Sequence, residues 1–204
     1  MPYDVTIITV KPNTHMKALP GVEQWLKDNP RKGEFIGCLA SEIGDLNKIL
    51  LLHHYDSEAD LAADREVVAK SANRFGCLDL ICGMSSDTFV QFPFLPAIKP
   101  GQYGPIFEVR TYLLKPNGLA PTIEAWTKAA PGRQKLSPIL AAMYSVTGET
   151  TRFMHIWPYP SLDVRANTRK TAIETGVWPP PGGPGHLLTM ANAIFLPAPF
   201  SPIR

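Results

Sequence analysis

Phe107-Glu108-Val109-Arg110-Thr111-Tyr112-Leu113-Leu114-Lys115-Pro116-Asn117 is the stretch on which the fold turns, because both of its ends occur twice. Tyr3-Asp4-Val5 stands 104 residues before Phe107-Glu108-Val109, and Lys11-Pro12-Asn13 stands 104 residues before Lys115-Pro116-Asn117. Glu23-x-Trp25-x-Lys27 then matches Glu124-x-Trp126-x-Lys128 at an offset of 101, after which the offset returns to 104. Ser41, Gly44, Tyr55, Ser57, Ala62, Arg65 and Pro93 recur as Ser145, Gly148, Tyr159, Ser161, Ala166, Arg169 and Pro197. Chance matches do not keep their order along a whole chain, whereas a duplicated structural unit does. The 204 residues therefore read as two copies, 1–100 and 105–204, joined by a 98–105 linker punctuated by Pro-Gly and Gly-Pro.

Each copy has the same element pattern. A β-rich run (3–10 or 106–114) ends at Lys-Pro-Asn, and a helical stretch surrounds Trp25 or Trp126. Two runs then flank a tight turn: 35–42 and 48–55 around Gly44-Asp45, and 140–146 and 152–159 around Gly148-Glu149. Ser57 and Ser161 precede a second helix as N-caps, since a serine oxygen accepts an orphan amide of the first turn. In the first copy this helix covers 58–72 and would bury Leu61, Val67 and Val68. A last strand, 87–92 or 190–196, runs into proline. The order β-α-β-β-α-β is that of a ferredoxin-like unit, so the expected class is α+β with two tandem units. Such a unit covers one sheet face with its helices and leaves the other bare, and that bare face must be buried. Two copies closing face to face in one chain, or each copy closing with a second chain, both satisfy this requirement.

Composition narrows the function. Twenty Lys+Arg against eighteen Asp+Glu give a net charge of +2, which offers no electrostatic footprint for nucleic acid or an acidic membrane. No apolar run reaches the roughly 18 residues of a membrane span. Met1-Pro2-Tyr3-Asp4-Val5 lacks the basic start and apolar core of a signal peptide. The three cysteines (Cys38, Cys77, Cys82) are too few and too irregular for a disulfide framework or a zinc site. The expectation is a cytoplasmic protein with buried thiols and no metal.

Strands alternate faces with period 2, which defines a candidate site in the second copy. Glu108, Arg110 and Tyr112 share one face of the first strand, and His155 and Trp157 share one face of the third. The opposite faces carry Phe107, Val109, Thr111 and Leu113, and Met154 and Ile156. With the more apolar sets packed under helices, the polar sets point into a cavity between the two sheets. The matching first-copy positions are Asp4, Thr6, Ile8, Leu51 and His53, a mainly apolar wall. One asymmetric site per chain is expected, with Asp4 and His53 as the first copy's polar contribution. Each residue also has a purely structural reading: Glu108 and Arg110 as a buried ion pair, His155 as a hydrogen-bonded core histidine, Tyr112 and Trp157 as packing aromatics. Trp25 and Trp126 read as core anchors. The 178–185 segment, Trp-Pro-Pro-Pro-Gly-Gly-Pro-Gly, lacks the amides of a phosphate cradle. It reads as an irregular loop, placed to act as a lid.

The second copy resembles the NIPSNAP family. Glu108-Val109-Arg110-x-Tyr112, His155-x-Trp157-x-Tyr159 and Pro197-Ala198-Pro199-Phe200-Ser201-Pro202 are similar to its E-[LV]-R-x-Y opening, H-x-W-x-Y strand and P-A-P-F-S-P ending. The first copy keeps the opening Tyr3-Asp4-Val5 but lacks the Arg and the following Tyr. The resemblance implies a dimeric α/β-barrel-type arrangement of ferredoxin-like units. That superfamily includes small-molecule binders, cofactor-free monooxygenases, isomerases and haem-degrading enzymes.

Three functions remain in competition. A binding protein would hold a small, partly apolar, anionic ligand through Arg110, Tyr112, Trp157 and His53. An enzyme would use His155 or Glu108 as acid–base catalyst, with Arg110 on a carboxylate or enolate; in a haem variant His155 would ligate iron. A protein-interaction module would have no ligand site. The partners expected are a small molecule and further copies of the chain in a homo-oligomer.

Overall fold

The structure is a computed structural model and describes residues 1–149 and 151–204. The first copy contains β1 (Pro2–Val10), α1 (His15–Asp28), β2 (Glu34–Ile43), β3 (Lys48–His54), α2 (Glu58–Lys70) and β4 (Ile81–Gln91). The second contains β5 (Ile106–Leu114), α3 (Leu119–Gln134), β6 (Ala141–Ser145), β7 (Arg152–Tyr159), α4 (Leu162–Glu174) and β8 (Leu187–Pro197). Both copies are thus β-α-β-β-α-β. Ser57 and Ser161 cap α2 and α4 by accepting from the Asp60 and Val164 amides at 3.1 Å. The repeated Lys-Pro-Asn ends each first strand with the asparagine in the left-handed region, φ 60° at Asn13 and 64° at Asn117. Asparagine tolerates that conformation better than most residues.

The strands form one closed antiparallel barrel, β1-β3-β2-β8-β5-β7-β6-β4. Within each copy the order is 4-1-3-2, and the copies join where β2 meets β8 and β4 meets β6. The sheet therefore closes inside a single chain, which decides between the two closures the sequence left open. Register respects the repeat: Asp4 lies opposite His53 as Glu108 lies opposite Trp157, and Thr6 opposite Leu51 as Arg110 opposite His155. The linker is tied in through the Ile98 amide, which donates to the Tyr3 hydroxyl at 3.0 Å, and through a bridge from Gly101 to Ile203.

The facing of the strands is the reverse of the sequence-based expectation. Phe107, Val109, Met154 and Ile156 point into the barrel, where they pack with Tyr3, Val5, Leu50, Leu52, Phe89 and Phe195. Among the described residues these side chains fill the barrel interior. An eight-stranded barrel is just wide enough for side chains to fill. Period-2 alternation assigns residues to a common face but does not say which face is inside when both are covered. The physical discriminator is pairing. Inside the barrel a charge would meet only other strands' apolar side chains, whereas on the outside α4 offers arginines to a carboxylate.

Smaller differences have local causes. Val67 is 49% exposed, and Asp64, 5% exposed, takes its place on the buried side of α2, where it accepts from the Lys32 and Gly33 amides. β4 and β8 begin several residues earlier than expected, because their first halves pair only with β1 and β5 and carry no alternating pattern. Cys38 and Cys77 are buried, but Cys82 is exposed. No helix among the described residues is long and apolar enough to cross a membrane.

Candidate functional site

Between the outer face of the second copy's sheet and its helices lies a cavity of about 280 Å³. That is close to the lower end of the roughly 300–1,000 Å³ usual for small-molecule sites. β5 and β7 form its floor with Glu108, Arg110, Tyr112, Phe153, His155 and Trp157. Trp126 and Arg133 of α3 and Arg169, Ala172 and Ile173 of α4 form its sides. The 178–187 segment roofs it with Trp178, Pro179, Pro180 and Leu187, and the Trp178 ring meets Trp126 edge-on at 4.5 Å. Five of the residues expected at the site, Glu108, Arg110, Tyr112, His155 and Trp157, are thus brought together, although on the helix side of the sheet. His53 is not among them. It lies under the first copy's helices, beside Arg31 and Phe35.

Glu108 is fully buried and accepts from Arg110 (2.8 Å), Arg165 (2.6 Å) and Asn192 (3.2 Å). Burial alone would raise its carboxyl. The Arg165 hydrogen bond and the charges of Arg110, Arg165 and Arg169 outweigh it and hold Glu108 below the ordinary carboxylate value. Glu108 is therefore a fixed anion that positions two guanidiniums. Arg110 is further held by its Nε–H, which donates to the Tyr112 hydroxyl at 2.5 Å. Behind them, Arg133 donates to Ser137 and Tyr159 and lies 4.3 Å over the Trp157 ring.

His155 sits within 4.8–4.9 Å, ring centre to ring centre, of Tyr112, Trp126 and Phe153. The Trp157 indole N–H donates to its Nδ1 at 2.5 Å, which places the remaining imidazole proton on Nε2. Nε2 is buried and has no partner among the described residues. Burial, then the charges of Arg110 and Arg169, push His155 well below its ordinary 6.5, so the ring is neutral. These residues do not fit haem: Nε2 is buried, and the rings around the imidazole leave a cavity of about 280 Å³, at the lower end for small-molecule sites and too small for a porphyrin.

The buried neutral histidines set an acid limit on stability. Burial, then the charge of Arg31, also pushes His53 well below 6.5. The unfolded chain takes up these protons near pH 6.5 and the folded chain does not, so stability present above pH 6.5 is lost as pH falls below it. The slope limit is about 1.4 kcal/mol per pH unit per histidine. Thermal melts between pH 7 and 5 are expected to show falling midpoints, with a shallower fall in His155→Gln; an unchanged slope in that variant would refute the assignment.

The two copies differ in how the corresponding space is used. Ten residues connect α2 to β4, and twelve connect α4 to β8. In the shorter connection Gly21 and Gly76 pack backbone to backbone, so close that a Cβ on Gly21 would lie 2.3 Å from the Gly76 carbonyl oxygen. This contact lowers the connection onto α1 and drives the fully buried Phe75 ring against Trp25 at 4.7 Å. In the longer connection the chain stands off as a roof. The arginines also change roles. Arg65 grips Asp4 through Nε (2.9 Å) and Nη2 (2.7 Å). Its counterpart Arg169 lies within 4.0 Å of no carboxylate among the described residues, because Arg165 has taken over the pairing with Glu108. Sequence reasoning placed the 178–185 segment over the cavity but missed Arg133, Arg165 and Arg169 as site residues, and took Trp126 for a core anchor only. The available signal was the i, i+4 pair Arg165/Arg169 on one helix face, with only Arg169 repeated in the first copy.

Two ferredoxin-like halves closed into one barrel, with helices outside and a pocket beneath them, define the dimeric α/β-barrel class, built here from one chain. A family model described as NIPSNAP matches residues 3–96 and again 107–202, and the chain belongs to the NIPSNAP family. Among curated relatives, a NipSnap homolog of Dictyostelium discoideum is 26% identical over 167 residues, covering 78% of this chain and 72% of that protein. The chain spans 55% of the Drosophila melanogaster NipSnap protein that it matches. Solved structures share the fold over nearly the whole chain. A protein of Lactobacillus acidophilus provisionally assigned as a monooxygenase has a TM-score of 0.64 at 10% identity, covering 96% of this chain and 93% of its own. An anthrone oxidase-like protein has a TM-score of 0.63 at 13% identity, covering 97% and 91%.

Proposed function

We propose that the second-copy cavity binds a small, largely apolar ligand carrying one anionic group. The carrying observation is Arg169, a guanidinium at the cavity with no carboxylate within 4.0 Å among the described residues, while its counterpart Arg65 is spent on Asp4. A carboxylate or enolate oxygen is met by Arg169 and Arg110, and the apolar body lies among Trp126, Trp157 and Trp178. His155 Nε2–H adds a neutral donor. The test is calorimetric titration with benzoate and 1-naphthoate. Arg169→Ala is expected to weaken binding at least tenfold, with stability within about 0.5 kcal/mol of the parent, since the residue is partly exposed and makes no ion pair among the described residues. Equal affinities in parent and variant would sink the proposal.

An enzymatic reading draws on the same unpartnered His155 Nε2. A neutral imidazole with its proton on Nε2 acts as an electrophile toward a carbonyl or enolate oxygen, while Glu108 serves as a positioning residue for Arg110. In that reading His155→Gln, which keeps a side-chain donor, retains turnover that His155→Phe abolishes; equal turnover in the two variants would exclude it.

A further inference from the structure

We propose that the first copy carries a second binding site, built on Arg31 and His53, for a short apolar monocarboxylate. Between α1, the start of β2 and the C-terminal tail lies a separate pocket of about 290 Å³, lined by Leu26, Arg31, Phe35, His53 and Phe200 among others. The Arg31 side chain is only 5% exposed, yet none of its three guanidinium nitrogens makes a hydrogen bond among the described residues. His53 Nδ1 is likewise buried without a partner among the described residues. A guanidinium carries five N–H donors, and leaving them unmet in a buried position is costly.

The carboxylates nearby offset the charge of Arg31 as ion pairs but leave its N–H donors unmet. Asp64 Oδ2 is 3.6 Å from Nε and Asp4 Oδ2 is 3.8 Å from Nη1, beyond hydrogen-bond reach. Both are occupied elsewhere: Asp4 by Arg65, Ser86 and Thr6, and Asp64 by the Lys32 and Gly33 amides. The second copy provides an internal comparison. Arg133 also follows its helix tryptophan and a proline, and it approaches Tyr159 as Arg31 approaches Tyr55. Its donors are spent on Ser137 and Tyr159, and Trp157 covers its face. In the first copy the tryptophan is replaced by His53, Tyr55 makes no such bond, and the arginine opens on a pocket. A carboxylate matches the planar guanidinium fork in two parallel hydrogen bonds, with His53 as a third donor. Leu26, Phe35 and Phe200 suit a short hydrocarbon tail.

The test follows the arginine Nε–Hε signals of the 15N-labelled full chain during titration with sodium butyrate, with inorganic phosphate as a parallel arm. A saturable shift of the Arg31 signal is expected, with butyrate bound at least tenfold more tightly than phosphate. Arg31→Lys keeps the charge but loses the fork and is expected to weaken butyrate at least tenfold. Phe200→Trp fills the apolar side, leaves Arg31 intact and is expected to block binding, which covers the case of a poorly folded lysine variant. Arg169→Ala leaves the Arg31 shift unchanged, so the two sites fail independently. No saturable shift at Arg31, phosphate binding as tightly as butyrate, or undiminished binding in Phe200→Trp would each overturn the proposal.

Discussion

Glu108→Ala is expected to lower unfolding free energy by about 3–5 kcal/mol, the usual cost of removing one partner from a buried ion pair. The carboxylate is the common acceptor for Arg110, Arg165 and Asn192, and its side chain is only 1% exposed. The two arginines left behind are not equivalent. Arg165 is 22% exposed on α4 and can turn toward water, but Arg110, at 10%, rises from β5 at the floor of the cavity, beneath the helices and the roof. Most of the loss therefore falls on the stranded Arg110 charge. A double variant, Glu108→Leu with Arg110→Met, removes the carboxylate and the trapped cation together and is expected to recover more than half of the deficit. Urea unfolding of the single and double variants measures both quantities. A double variant no more stable than Glu108→Ala would show that the cost lies in packing instead.

The second large effect is expected in the other copy. Phe75→Ala removes a fully buried ring that closes the space beneath α1, and deletions of this kind cost about 3–5 kcal/mol. The Gly21–Gly76 contact holds the connection in place, so the chain has little freedom to collapse into the gap. An apolar cavity should remain against Trp25, and such cavities stay dry and accept small aromatic molecules. Adding benzene or indole should therefore raise the melting temperature of Phe75→Ala and leave the parent unmoved. A variant that loses stability but gains nothing from either molecule would mean that the site refills itself.

These residues show what could be read from the sequence and what could not. The repeat fixed the element order, both serine caps and the hairpins, because each rests on local chemistry that is legible in a few residues. It also selected Glu108, Arg110, Tyr112, His155 and Trp157 as one group, since alternation along β5 and β7 is a property of the strands themselves. The side on which that group stands was not legible. Both sheet faces are covered, and the deciding partners of the β5 residues, Arg165 and Arg169, lie more than fifty residues further along on α4. His53 was grouped with the others because it shares their face, but the barrel turns the two copies' outer faces away from one another. The stand-off of the roof over the cavity was not legible either: the two chain segments are equally long in sequence, and the longer α4–β8 connection arises because β8 begins two residues later in its copy than β4 does.

Closure of the barrel through β2–β8 and β4–β6 within one chain also changes how the two halves meet. When two separate chains form such a barrel, assembly is a bimolecular event and the folded population follows protein concentration. Here the 98–105 connector keeps the halves at an effective concentration of the order of millimolar, so their docking is a first-order step that dilution does not reverse. The connection also favours pairing of unlike halves within a chain over pairing of halves from different chains. A barrel closed in this way contains one half of each kind, and the cavity beneath α3 and α4 is formed once per chain however scarce the protein is.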